Sequence, residues 1–434
     1  MKISKPFALI VLLHGTSLFQ PLTARGETPK LTFEVIERFR FVAWDNAIDL
    51  DADADNPFTF TRHRTSLGAL FTVNPSLSIY AKLTNEFRYW FRPDDRDFKF
   101  HEVFFDNLFV EWKRPAGVPL NLKLGRQNMN LGEGFVVMDG HPLDGSRSIY
   151  FNAARADWLL SDHHRLILFY TYQPETDDIL PVINNQNQPL IEQPEEGIGL
   201  YFAGQFGKTN LDLYAIRKNI LCGSQHLPSS GINTVGFRTI VQLTNQLSVT
   251  GEAARQFGSL GGAIRRAWGG YAHADYYLKR RFPVPSVITL GAVFLGGDDP
   301  KTPKWEGWDP LFSRWPKWSE SYIYALIPEY GGHVAYWSNW SSFYTALAFQ
   351  IVRPVELTIH LHRLGAPVAS DAAAGFPGGG GHVRGTLLIT KLIFRLSKTV
   401  TGHLLWDVFS PGDYYFSGAD GFHWFRCELL YNWR

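Results

Sequence analysis

Pairs of arginines two residues apart recur near the start of the chain. Arg38 and Arg40 form one pair, and Arg62 and Arg64 form the next. An arginine side chain stays charged and presents a planar fork of N–H donors that can hold both oxygens of a carboxylate. The two pairs therefore predict a surface that attracts anions, provided that the arginines of each pair lie on one face.

Further basic residues occupy the polar positions of later segments, so the predicted anion-attracting surface extends along the chain. We assign twelve residues to it: Arg38, Arg40, Arg62, Arg64, Lys82, Arg88, Lys123, Arg126, Arg238, Lys391, Arg395 and Arg426. Carboxylates among them would keep solutes from binding too tightly. We assign this role to Glu34, Glu86, Glu252, Asp407 and Glu428. The alternative interpretation is that the two sets neutralise one another and only hold the structure open.

Alternating aspartates suggest a second kind of chemistry. Asp51, Asp53 and Asp55 could offer hard oxygen ligands to Ca²⁺. The glycine of an EF-hand loop is missing, and a solvated surface loop explains the same run. No cofactor or other metal is predicted. No catalytic residue is predicted either, because the sequence contains no nucleophile elbow.

The alternation that positions these residues is typical of β-strands. Leu357, Ile359 and Leu361 are apolar, whereas Thr358 and His360 between them are polar. Successive side chains of a strand point to opposite faces. In a soluble protein the apolar face is buried, but in a membrane barrel it faces lipid and the polar face encloses the lumen.

The cost of charge in lipid decides which way the basic residues point. A charged residue on the lipid face near the bilayer midplane costs about 2–4 kcal/mol, so we predict that the basic residues face inward. Glu37 and Arg126 fall out of phase with their neighbours. A bulge, or a position near the rim, is expected at each.

Short and long connections alternate along the chain. Short turns are predicted at 74–76, 114–119, 160–163, 207–209, 244–246, 279–285, 353–355 and 397–399. Longer connections are predicted at 45–58, 92–100, 131–147, 175–196, 221–231, 257–263, 298–340, 366–382 and 410–420. Outer-membrane barrels have an even number of strands, short periplasmic turns and long external loops. We therefore predict an all-β fold, a transmembrane antiparallel up-and-down barrel of 18 strands.

Composition agrees with this class. The 434 residues include 15% aromatics and only two cysteines, which excludes a disulfide scaffold. The formal net charge of +1 gives no reason to expect nucleic acid as a partner. Aromatic girdles are predicted from residues at strand ends. These are Trp44, Tyr89, Trp90, Trp112, Trp158, Tyr276, Tyr277 and Trp406.

The first 26 residues are predicted to form a signal peptide. A basic start is followed by an apolar stretch and then by a small-x-small sequence that ends at Gly26. Residues 27–434 are predicted to form a single barrel domain in the bacterial outer membrane, in contact with lipid and lipopolysaccharide.

Three stretches carry a resemblance to a known family. They are Leu124 to Gln127 with its continuation through 143–147, then Gly296 to Asp299 with Trp308 to Phe312, and finally Ser410 to Tyr415. In this order the chain resembles the bacterial alginate export family of outer-membrane barrels. The resemblance implies an 18-stranded monomeric pore whose arginines and lysines attract the carboxylates of an acidic polysaccharide.

We therefore expect a passive channel, without a catalytic cycle, that carries anionic or sugar-like solutes down a gradient. Loop 298–340, with Trp305, Trp308, Trp315 and Trp318, is expected to restrict its mouth. The alternatives are a general small-solute uptake porin, an outer-membrane barrel enzyme, a soluble sugar-binding protein and a purely structural barrel.

Overall fold

The computed structural model describes residues 29–54, 56–94, 102–139, 150–187, 189–224, 228–278, 282–313, 317–331, 336–370 and 378–434. In these ranges, 18 long strands form the wall of a barrel. They are β1 Lys30–Trp44, β2 Phe58–Asn74, β3 Leu77–Arg92, β4 Val103–Lys113, β5 Leu120–Gln127, β6 Phe151–Leu159, β7 His164–Gln173, β8 Glu195–Phe206, β9 Thr209–Ile220, β10 Ser230–Gln242, β11 Leu247–Leu260, β12 Ala263–Tyr277, β13 Val287–Leu295, β14 Trp340–Val352, β15 Val355–Gly365, β16 Val383–Arg395, β17 Val400–Pro411 and β18 Phe422–Trp433.

The first and last strands close the barrel. β1 pairs antiparallel with β18 from Val35 opposite Trp433 to Trp44 opposite Trp424. Each of the other long strands also pairs antiparallel with its neighbours in the chain. The closed antiparallel barrel of 18 strands is thus confirmed. No helix in the described ranges is long and apolar enough to cross a membrane.

The two faces of each strand differ in the way that the alternation predicts. In β1, Leu31 and Phe33 are more than half exposed, whereas Arg38 and Arg40 are buried. The same pattern recurs in β9, where Leu213 is exposed and Lys218 is buried. The apolar side chains therefore form the outer surface, and the charged ones face the interior of the barrel.

Most of the predicted girdle residues lie on the outer surface. Five of them are 41–54% exposed and in phase with the outer face: Tyr89, Trp112, Trp158, Tyr276 and Trp406. Tyr277 is 44% exposed, but the alternation of β12 puts it in phase with the inward Arg265 and Tyr271. The prediction is wrong for Trp44 and Trp90. Trp44 is in phase with Arg38 and Arg40 and stacks inside the barrel on Trp424, with ring centroids 4.2 Å apart. Trp90 packs against the ring of Phe60.

Two local predictions about strand geometry have different outcomes. At Glu37 the expected bulge is absent, because β1 pairs with β2 without a register shift, and the rim position stays a prediction. Glu37 lies on the outer face and accepts a hydrogen bond from Thr65. At Arg126 the alternation does break, because the preceding Gly125 has a φ of 122°. A side chain at Gly125 would collide with the carbonyl oxygen of Leu108.

One predicted long loop is a tight turn. Strand β11 extends to Leu260 and β12 begins at Ala263, so only Gly261 and Gly262 connect them. Both glycines have positive φ values, which residues with a side chain rarely adopt. The prediction of a long connection at 257–263 is therefore wrong: the two adjacent glycines allow the strands to continue almost to the hairpin end.

Some predictions fall outside the described residues. These are the signal peptide at 1–26, the stretch 143–147, Asp55 and Trp315. Asp51 and Asp53 are described, and the carboxylate of Asp51 accepts a hydrogen bond from the backbone N–H of Asp53. Within the described part of the chain, no three His, Cys, Asp or Glu side chains are arranged to hold a metal ion. The calcium site stays a prediction.

Candidate functional site

Six cations lie side by side on the inner face of the first three strands. We call this group the basic wall; it consists of Arg38, Arg40, Arg62, Arg64, Lys82 and Arg88. The register between strands places Arg64 opposite Arg38, and Arg40 and Arg88 on either side of Arg62. The i, i+2 spacing in each strand therefore becomes a continuous patch once the strands pair.

Three carboxylates contact the basic wall. Glu86 accepts hydrogen bonds from Arg38 at 3.3 Å, from Arg62 at 2.8 Å and from Arg64 at 3.2 Å. One carboxylate thus serves three guanidinium groups. Asp106 lies 3.2 Å from Arg64.

Lys82 and Arg40 of the basic wall each contact a carboxylate as well. Asp106 also lies 2.6 Å from the ammonium group of Lys82. Glu428 of the closing strand accepts a hydrogen bond from Arg40. Among the described residues, the six cations of this patch thus share the carboxylates of Glu86, Asp106 and Glu428.

Arg88 differs from the other members of the wall. Its guanidinium lies over the rings of Phe60, at 5.2 Å, and Trp90, at 5.8 Å. Among the described residues it has no carboxylate within 4.0 Å. It is also only partly buried, whereas the other five cations are buried. Arg88 is therefore the member of the wall best placed to receive a carboxylate from solution.

Several other predicted cations are engaged in ion pairs. Arg126 donates two hydrogen bonds to Asp177, at 2.7 and 3.0 Å, and lies 3.9 Å from the ring of Tyr150. Arg238 donates to Asp212 at 2.8 Å. These fully paired cations match the alternative interpretation, in which charges neutralise one another inside the barrel.

The remaining predicted cations are more accessible, with one exception. Lys123 lies 3.5 Å from Glu111, and Lys391 and Arg395 on β16 are partly buried and exposed, respectively. The exception is Arg426, which is buried and donates to Glu320 at 2.9 Å.

The predicted carboxylates accept hydrogen bonds mainly from hydroxyl groups and cations. Glu34 accepts from Tyr80 and lies 3.0 Å from the Arg434 guanidinium. Glu252 accepts from Tyr214 at 3.0 Å and Tyr271 at 2.9 Å. Asp407 accepts from Ser321 at 2.6 Å, and Glu428 from Arg40. Each of these carboxylates therefore has a partner within the barrel.

The longest connection, residues 296–339, folds into the barrel. We call it the long loop, of which 296–313, 317–331 and 336–339 are described. Trp308 is buried and stacks on Phe135, and Trp318 stacks on Trp340 of the barrel wall. The loop therefore restricts the lumen, as its length and aromatic content predict.

Three buried cations that hold the long loop were not predicted from the sequence. Arg384 donates to both carboxylate oxygens of Glu329, at 2.7 and 2.8 Å. Lys218 and Arg265 lie 3.8 and 3.4 Å from Asp309. Burial alone would raise the pKa of the Asp309 carboxyl. The charges of Lys218 and Arg265 outweigh this effect, and the pKa is lowered. Cations on the barrel strands thus hold the long loop by ion pairs.

A cavity of about 370 Å³ lies between the long loop and the ends of β8, β9 and β12. Its lining includes Trp305, Tyr330 and Tyr336 of the long loop and Lys218 and Arg265 of the barrel strands. Aromatic rings and charged groups line this space, so solutes with both apolar and polar parts can contact it.

A second loop, residues 128–139, meets the long loop inside the barrel. Lys317 donates to the carbonyl oxygen of Glu133 at 2.7 Å, and the Glu133 carboxylate lies 3.4 Å from His273 of β12. Burial would raise the pKa of Glu133, but the hydrogen bond with His273 and the charges of Lys317 and Arg238 lower it from 4.5 to about 2. The native loop contact is thus stabilised by the charged carboxylate.

The lowered pKa of Glu133 predicts an acid-sensitive loop contact. The stabilisation is fully present above pH about 4.5 and is lost as the pH falls through about 2, because protonation removes the charge that Lys317 and His273 hold. Current fluctuations in single-channel recordings should therefore increase over this interval. The Glu133→Gln variant should fluctuate at every pH in the interval, and a wild-type-like pH response of this variant would contradict the assignment.

Solved structures with a similar fold were found, although no protein-family model and no curated protein sequence matches the chain. OprD from Pseudomonas aeruginosa is 10% identical, with a TM-score of 0.57 over 95% of this chain and 96% of that one. OccK1 (OpdK) from the same organism is 9% identical, with a TM-score of 0.59 over 93% and 98%. OpdO is 12% identical, with a TM-score of 0.58 over 93% and 97%. At these identities the likeness shows the fold, which is that of outer-membrane porins, and the predicted outer-membrane localisation is confirmed.

The resemblance to the alginate export family is wrong, since the similar structures are porins of the OprD and Occ type. The stretches that suggested it serve local geometry. The Gln127 amide donates to the carbonyl oxygens of Gly125 and Lys123 and so fills the distortion in β5. Asp298 accepts a hydrogen bond from the backbone N–H of Glu306 in its own loop, and Asp413 accepts one from the backbone N–H of Val383 at the start of β16.

Proposed function

We propose that the chain is a passive outer-membrane channel for small anionic solutes, with carboxylates as the main class. The observation that carries the proposal is the position of Arg88 in the basic wall, where it has no carboxylate within 4.0 Å among the described residues. A cation in a low-dielectric pore attracts anions and raises their local concentration.

The paired charges limit how tightly a solute binds. Conduction needs binding that is favourable enough for entry and weak enough for release. Because Glu86 shares its charge among three arginines, a solute carboxylate meets a partly neutralised surface. The two interpretations of the charged interior therefore combine: the paired cations hold the structure, and Arg88 attracts the solute.

The geometry favours small solutes. The long loop contacts both Arg384 on β16 and Lys218 on β9, so it occupies part of the lumen. Rings beside Arg88 would accommodate an aromatic carboxylate, since Phe60 and Trp90 lie within 6 Å of its guanidinium. One similar structure, OpdK of P. aeruginosa, was solved with vanillate, an aromatic carboxylate.

One chain closes this barrel, and we propose that it functions as a monomer.

Planar bilayers provide the test. Under a KCl gradient the wild-type channel should show a reversal potential of the sign expected for anion preference. After subtraction of the rates in protein-free vesicles, benzoate should permeate reconstituted vesicles faster than benzamide, which has the same shape without the charge. Cation preference, or equal permeation of benzoate and benzamide, would overturn the proposal.

A further inference from the structure

Three arginines on nearby strands lie close together on the outer surface of the barrel, where lipid is expected. Arg217 of β9, Arg255 of β11 and Arg266 of β12 are exposed and in phase with exposed apolar residues. Their chain neighbours Lys218, Gln256 and Arg265 are buried inside the barrel. The outward orientation of the three arginines therefore follows from the strand alternation.

The strand register brings these arginines together. Arg255 is opposite Trp268 and Arg266 is opposite Phe257, so the two arginines are diagonal neighbours on one face. Diagonal neighbours in a sheet are about 7–8 Å apart. Arg217 lies two strands away from Arg255, across β10. We call the three residues the outer arginine cluster.

The outer arginine cluster has few partners within the protein. Arg217 donates to Asn233 at 3.1 Å. Across the described residues, neither the Arg255 nor the Arg266 side chain has a hydrogen bond or an ion pair. The outward carboxylate of Glu196, a diagonal neighbour of Arg217, accepts hydrogen bonds from Tyr170 and Asn219. At least two guanidinium groups are thus available to an external anion.

The position of the cluster along the membrane normal indicates which external anion it would bind. Arg266 lies ten residues before Tyr276 of the opposite girdle, which is about 25 Å along the barrel axis for a strand tilted by roughly 40°. That equals the height of the apolar band of such barrels, about 25 Å. The exposed ring of Trp268 lies next to both Arg255 and Arg266. The cluster is therefore at the external interface, where lipid headgroups lie.

Burial of an unpaired arginine in hydrocarbon is costly, but the cost falls to about 0–1 kcal/mol near the interface. Arginine also binds phosphate oxygens in a bidentate manner. We propose that the outer arginine cluster binds the phosphate groups of lipopolysaccharide in the outer leaflet. The site lies on the opposite face of the wall from the lumen, so it is independent of the proposed solute pathway.

The test uses the full chain in detergent and lipid A as the probe, with binding measured by native mass spectrometry. Lipid A with its phosphates should bind the wild type at least tenfold more tightly than lipid A from which they have been removed. The Arg255→Gln/Arg266→Gln variant should lose that difference, and Arg255→Lys/Arg266→Lys should retain part of it. Arg363→Gln is the matched control, because Arg363 is an exposed arginine on β15 that donates to Thr386.

Two outcomes would overturn the proposal. One is equal binding of the two forms of lipid A by the wild type, a comparison that needs no variant. The other is displacement of lipid A by an equimolar concentration of inorganic phosphate, which would indicate a site for free anions. Single-channel conductance checks that each variant folds, and it should equal that of the wild type.

Discussion

The Arg88→Ala variant should lower the anion-to-cation permeability ratio about fourfold without lowering the stability of the barrel. One unit charge at about 5 Å in water contributes roughly 0.8 kcal/mol, which corresponds to this factor. Arg88 has no carboxylate partner within 4.0 Å in the described ranges, so its removal leaves no buried charge uncompensated. Reversal potentials in bilayers measure the ratio, and urea unfolding measures the stability.

Arg126→Ala is the matched contrast. Arg126 is buried and paired with Asp177 through two hydrogen bonds. Its removal should lower the free energy of unfolding by about 3–5 kcal/mol, since the buried carboxylate of Asp177 loses its counter-charge and two hydrogen bonds. The permeability ratio should change little. Equal effects of the two variants on selectivity would contradict the assignment of anion attraction to the unpaired member of the basic wall.

The architecture of the barrel follows from local sequence features. Successive side chains of a strand point to opposite faces, and the cost of placing charge in lipid decides which face points inward. The inward orientation of Arg38 and Arg64 can therefore be inferred from the sequence. The strand count depends on turn positions, which short polar segments mark. The error at 257–263 shows the limit of this signal, because Gly261 and Gly262 are typical of both tight turns and flexible loops.

The contacts inside the barrel could not be inferred in the same way. Arg384 and Glu329 are 55 residues apart, and Glu329 lies in an irregular loop with no periodicity to indicate its direction. The inner face of a strand can be recognised from the sequence, but the partner that a loop brings to it cannot. Asp106, which pairs with Lys82, was missed for a related reason: the strand register shifts between Lys82 and Leu83.

The Arg384→Ala variant should release the long loop from the lumen and enlarge the conductance. Arg384 is fully buried and holds Glu329 with two hydrogen bonds, at 2.7 and 2.8 Å. It also donates to the carbonyl oxygen of Asn339, at the end of the loop, at 2.8 Å. Loss of one partner of a buried ion pair costs about 3–5 kcal/mol. Since about 1.4 kcal/mol corresponds to a factor of ten, the ratio of docked to released loop should fall by about two to four orders of magnitude.

Single-channel recording and limited proteolysis of the loop measure this release, and a double variant identifies its cause. If the loop is released because Glu329 is left buried without a counter-charge, then Arg384→Met/Glu329→Met should keep it docked, since apolar side chains of similar volume can replace a buried pair at little cost. The double variant should then conduct like the wild type, whereas Arg384→Ala conducts more. Equal conductance of the two variants would mean that the hydrogen bonds of Arg384 to Asn339, and not its charge, hold the loop in the lumen.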